Sequence, residues 1–158
     1  MVKIKRFSTT AISLMLALAL VMVPQLAAAG EATVPQTSPP PMMVQPMAVF
    51  DGYTYLQSSD VTITMQSNLN LYVASVTNAK SSVSNIGGNI QLQEWSGTSW
   101  INLVPSHTYS AKNVTSANGN TSKTVRSGYY YRAKVTHTIT HNGITETVTE
   151  YSDTVLAH

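Results

Sequence analysis

The sequence predicts an all-β protein, an antiparallel sandwich of about seven short strands. Three observations carry this. From Phe50 onward, short runs rich in Val, Ile, Thr and Tyr alternate apolar with polar residues, the period-two signature of half-buried strands. Clusters of Ser, Asn, Gly and Thr separate those runs at regular intervals, as turns do in a sandwich. No window beyond the N-terminal segment shows the i, i+3, i+4 spacing of an amphipathic helix.

The first element, residues 1–29, reads as a signal peptide. Lys3, Lys5 and Arg6 form a basic start, an apolar run follows to Val23, and Pro24 breaks it. Ala27-Ala28-Ala29 supplies the small-x-small exit, with cleavage expected between Ala29 and Gly30. Phe7 to Val23 is near the lower limit of a spanning helix, so an uncleaved anchor is the alternative. The Pro-Gln-Leu-Ala-Ala-Ala exit favours cleavage, leaving no stable membrane anchor. No Cys follows the apolar run, which excludes lipid attachment there. Residues 30–47 are a Pro-rich linker, too rich in proline to pair in a sheet, and are expected to be disordered and polyproline-like. The sandwich domain is expected over residues 48–158.

Within that domain, Tyr53–Gln57 and Val61–Met65 read as a first strand kinked at Ser58-Ser59. Leu69–Val76 alternates well. Ile90–Trp95 and Trp100–Val104 form a hairpin around Ser96-Gly97-Thr98-Ser99. Tyr109–Val114 and Thr121–Arg126 are weaker strands, with Ser116–Asn120 as the loop between them. A long tyrosine-led strand from Ser127 then turns at His141-Asn142-Gly143 and returns to Thr154. A two-residue Asn-Gly loop pairs His141 with Ile144 and puts Glu150 and Glu146 on the face of Val135 and Ile139. A three-residue loop pairs Thr140 with Ile144 and sets Lys134 opposite Glu150 and Ala133 opposite Tyr151. The second register avoids carboxylates on the apolar face and is the one expected. Tyr129, Tyr131, Ala133, Val135 and Ile139 then face the core, and Tyr130, Arg132 and Lys134 face outward.

Charge and cysteine content narrow the partners. Nine Lys and Arg stand against seven Asp and Glu; without the three basic residues of the leader, six remain against seven. A nearly neutral domain with scattered charge is a poor match for nucleic acid or an anionic membrane. The chain has no cysteine, so core and strand pairing alone must hold it. A short leader with no Cys suits export from a Gram-positive bacterium.

Two resemblances add to this. G-Y-Y-Y-R-A-K-V and E-Y-S-D-T-V resemble the last two strands of fibronectin type III and related immunoglobulin-like domains, and Q-L-Q-E-W-S-G-T-S-W-I-N-L resembles their central hairpin. The likeness implies a tyrosine corner, for which Tyr129 is the expected residue. From about Tyr53 onward, the pattern Y-x-Y-L-Q-S-S, W-S-G-T-S-W and S-G-Y-Y-Y-R is similar to a family of small secreted proteins of Gram-positive, Bacillus-like bacteria, with no assigned activity.

Catalytic and metal patterns are missing. The histidines are His107, His137, His141 and His158; His137 and His141, four apart along a strand, lie about 13 Å apart, too far for one ion. His137 is expected at the edge of the core. The carboxylates show no buried acidic pair, there is no G-x-S-x-G, and Gly87-Gly88 precedes no helix. No cofactor, metal or catalytic residue is expected. The remaining signal is aromatic: Trp95 and Trp100 face each other across their hairpin, and an assembly like that of fibronectin type III domains, as the resemblance implies, sets Tyr130 and Arg132 on the same outer face. These four residues form the expected binding surface, unless the tryptophans serve only to brace the hairpin. The expectation is a secreted, non-catalytic interaction or structural module with an unidentified protein partner. The alternatives are a carbohydrate-binding or cell-wall-binding module and a small secreted enzyme without a recognisable motif.

Overall fold

The computed structural model describes residues 34–42 and 50–158. The expected signal peptide, its Ala29–Gly30 cleavage point and the linker residues 30–33 and 43–47 lie outside the described residues. The described chain is all-β, with nine antiparallel strands: β1 (Leu56–Gln66), β2 (Asn70–Val83), β3 (Asn85–Trp95), β4 (Trp100–Asn102), β5 (His107–Ala111), β6 (Val114–Thr124), β7 (Tyr130–His141), β8 (Ile144–Tyr151) and β9 (Val155–Leu156). One sheet has the order β1-β2-β6, the other β4-β3-β7-β8. β5 continues the β4 edge alongside β3, and β9 continues the β8 edge alongside β7. The count exceeds seven because each of those edges is interrupted once.

Strict alternation makes this a sandwich. Leu71 and Val73 of β2, Ile86, Ile90 and Leu92 of β3, and Tyr131, Ala133, Val135 and Ile139 of β7 point into one shared core. Each fully buried large aliphatic side chain contributes about 1.5–3 kcal/mol. The inward face expected for β7 is therefore correct, with His137 added to it. That histidine is fully buried, not at the core edge.

Three expectations change. Ser116–Asn120 is not a loop but the middle of β6, paired with β2 from Thr77↔Ala117 to Ala74↔Asn120. Gly119 is there for close approach: a Cβ at that position would lie 2.3 Å from the Tyr109 ring. The turn into β6 is at Asn113, which takes a positive φ of 57°. The tyrosine whose hydroxyl bonds back to the preceding loop is Tyr131, not the expected Tyr129. The Tyr131 hydroxyl accepts the Arg126 N–H at 3.1 Å and donates to Glu94 at 2.6 Å, whereas the Tyr129 ring lies under the Arg126 guanidinium, 4.0 Å from its Cζ.

The third change is the hairpin register. His141 pairs with Ile144, Ile139 with Glu146 and Val135 with Glu150; Lys134 stands opposite Tyr151, and there is no Lys134–Glu150 pair across the strands. Asn142 and Gly143 both take positive φ, 49° and 76°, the geometry a two-residue primed turn demands. The carboxylates that argued against this register both have partners. Glu146 accepts the N–H groups of Tyr55 and Leu56 at 2.9 and 2.8 Å, and that of Thr54 as well. Glu150 lies 3.5 Å from His137 Nε2. An inward carboxylate is tolerable when backbone donors or an imidazole meet it.

Candidate functional site

The outer face of β3 and β7 carries the expected surface, and register explains its assembly. Gln93 pairs with Arg132 across β3 and β7, Gln93 with Asn102 and Trp95 with Trp100 across β3 and β4. The Trp95 and Trp100 rings pack at 5.3 Å between centroids, tilted by 54°. Arg132 Cζ lies 4.2 Å from the Trp100 centroid and 4.2 Å from that of Tyr151. Its Nε donates to Gln93 Oε1 at 2.8 Å, and Gln93 Nε2 donates to Asn102 Oδ1 at 2.8 Å. The result is a ladder, Trp95–Trp100–Arg132–Tyr151, with the cation between two π faces.

Arg132 was expected as an exposed outer residue. It does point outward, but the ladder covers it until only 6% remains exposed. Burial pulls its pKa below the ordinary value, opposed by the Tyr151 hydroxyl. Trp95 is buried too, at 7% exposure.

What covers Trp95 is the chain's own Pro-rich segment. The Trp95 indole N–H donates to the Ser38 carbonyl at 3.0 Å, and the Gln36 N–H donates to the Gly128 carbonyl at 2.8 Å. Residues 34–42, expected to belong to a disordered arm, therefore make specific contacts with the sandwich. Gly128 permits the approach: its φ is +83°, and a Cβ there would stand 2.7 Å from Gln36 Cγ.

Beside this segment lies a groove of about 370 Å³, lined by Pro39–Met42, Tyr130, Arg132 and Ser152–Thr154. Its far wall follows from a break in the edge of the sheet. After Tyr151, the Ser152 N–H still donates to Ala133 O at 2.9 Å, and its hydroxyl accepts the Ala133 N–H at 2.8 Å. The chain then bows out before β9 rejoins β7 at Tyr131↔Val155. Of the four expected residues, Trp95, Trp100 and Arg132 touch in sequence, and Tyr130 lines the adjoining groove. Sequence reasoning missed Gln93, Tyr151 and the segment 34–42. Tyr151 was hidden by the register, since the expected pairing turned it to the core side opposite Ala133.

A second polar cluster lies between the sheets. Thr77 Oγ1 meets His137 Nδ1 at 2.8 Å and Tyr109 Oη at 3.0 Å, and Tyr109 Oη meets Ser75 Oγ at 2.9 Å. Glu150 completes the chain at His137 Nε2, and that contact holds its carboxyl below the ordinary pKa against the opposing effect of burial. The order hydroxyl–imidazole–carboxylate is that of a nucleophilic triad, but Thr77 and His137 are fully buried. The cluster ties the two sheets together, Ser75 and Thr77 of β2 to Tyr109 of β5 and His137 of β7. A third cluster, Arg126–Glu94–Tyr131, pins the approach to β7. Burial, and then the hydrogen bond to Glu94, push the Tyr131 hydroxyl up to about 12.

No family model matches the chain, and no curated protein is significantly similar to it. Among solved structures, a protein from Archaeoglobus fulgidus is 10% identical, covering 65% of this chain and 98% of its own, with a TM-score of 0.32. A likeness that distant carries no argument.

Proposed function

We propose that this chain is an exported β-sandwich of immunoglobulin or fibronectin type III kind that works by binding a protein partner, not by catalysis. The observation that carries the proposal is the Arg132 ladder with a groove at its foot. A guanidinium held between Trp100 and Tyr151 is a rigid, desolvated anchor, and Trp, Tyr and Arg are the residues that dominate protein interfaces. Support for export comes from the basic-apolar-small pattern of residues 1–29. Support for the sandwich type comes from the partition of strands, β1, β2 and β6 against β3, β7 and β8, and from the Tyr131 hydroxyl on the Arg126 backbone.

Two features favour a protein partner over a glycan. A sugar platform needs open aromatic faces, yet Trp100 has Trp95 and Arg132 packed against its ring. The Trp95 indole N–H is already used by Ser38. To test this, a photo-crosslinker is placed at Thr154, on the groove rim, and the full chain is incubated with envelope and medium fractions of the producing cell. The expected result is a discrete protein adduct that Tyr130→Ala abolishes. Retention on peptidoglycan, chitin or cellulose that Trp100→Ala removes, with no protein adduct, would transfer the role to glycan binding.

A further inference from the structure

We infer that the seat formed by Trp95, Gly128 and the foot of the Arg132 ladder is a docking site for a proline-rich extended segment of a partner protein, with residues 34–42 as its resident occupant. This rests on the reading of the chain as a binding module and names the partner's chemistry.

The occupant defines the specificity. Pro39, Pro40 and Pro41 fix their φ and lack N–H groups, so the proline run itself can be held only through its carbonyls and ring surfaces. The sandwich offers both. The Trp95 indole donates to the Ser38 carbonyl directly before the prolines, and Tyr130 and Arg132 face the prolines and Met42 across the groove. Proline-rich segments dock on aromatic surface, which Tyr130 supplies here. The donor is preorganised, because Trp95 is braced by Trp100 and Trp100 by Arg132. Gly128 contributes the second bond, Gln36 N–H to its carbonyl, at a position where any side chain would push the segment away.

The occupant is held on one side only. Pro39, Pro41 and Met42 stay exposed, and about 370 Å³ of open groove remains beside them. A tethered segment competes at an effective concentration on the order of millimolar. A partner's segment is therefore admitted in proportion to the fraction of molecules in which the resident one has lifted. Residues 34–42 set the threshold for partner binding.

The test uses the full chain and a fluorescent peptide spanning residues 35–42, P-Q-T-S-P-P-P-M. In a variant carrying Pro39→Gly, Pro40→Gly and Pro41→Gly, the peptide is expected to bind at least ten-fold tighter than to wild type. Trp95→Phe in that background is expected to weaken capture at least ten-fold. The NMR signal of the Trp95 indole N–H gives a readout that needs no substitution in the ladder. The glycine variant should shift it, and saturating peptide should restore it. Equal binding by wild type and the glycine variant, or equal binding of a peptide with alanines at the three prolines, would overturn the inference. So would a Trp95 signal that peptide leaves unmoved. A protein adduct at Thr154 without peptide capture would remove the proline-rich partner while leaving the binding role intact.

Discussion

The two faces of β7 handle polar groups in opposite ways. Inward, Tyr131, Ala133, Val135, His137 and Ile139 are buried, with the Tyr131 hydroxyl bonded to Glu94 of β3 and His137 Nδ1 to Thr77 of β2. Outward, Arg132 is nearly as buried, but its cover consists of π faces and a segment from the other end of the described chain. The inner arrangement closes on itself, whereas the outer one ends in an open groove. Inner contacts determine stability; outer contacts leave a surface that can exchange partners.

Substitutions on the two faces should therefore fail in different ways. Ile139→Ala, in the core, is expected to cost about 2–5 kcal/mol in chemical denaturation. Arg132→Lys keeps the charge but loses the planar group between two rings. It should cost about 1 kcal/mol of stability while weakening capture at the groove; a loss as large as that of Ile139→Ala would erase the contrast between the faces. Trp100→Ala removes the Trp95 contact and one of the two π faces on Arg132, and should also cost about 1 kcal/mol.

Acid sharpens the same contrast. Three backbone N–H groups hold the Glu146 carboxyl below its ordinary range despite the opposing effect of burial, and His137 does the same for Glu150. A carboxyl whose folded pKa is depressed stabilises the fold fully above its unfolded value, and that contribution is lost as pH falls through the folded one. Stability should therefore fall as pH drops below about 4.5. Glu146→Gln and Glu150→Gln should each flatten that slope, as read by urea midpoints at several pH values. An unchanged slope in both variants would mean that other carboxylates govern the acid limb.

How much of this was legible in the sequence depends on where each partner sits. Alternation along residues 129–139 was enough to orient β7, because a strand packed on one side declares its inner face. The Trp95–Trp100 pair was readable for the same reason. The register of β7 with β8 was not, although Asn142-Gly143 is the strongest short hairpin signal. Glu146 and Glu150 argue against the true pairing until their partners are known: Glu146 is met by the chain entering β1, and Glu150 by His137, which was expected at the core edge. β6 was misread because Gly119 looks like a turn until the Tyr109 ring is placed over it. Residues 34–42 carry the composition of a mobile linker, and only the distant Trp95 indole and Gly128 give them a seat.

The central claim, that the outer face of β3 and β7 holds a proline-rich segment through the Trp95 indole, is tested most directly by hydrogen exchange at that indole N–H in wild type and in the triple glycine variant. The account predicts slow exchange in wild type, set by the bond to Ser38, and exchange at least ten-fold faster once the prolines are replaced. Fast exchange in both proteins would contradict it.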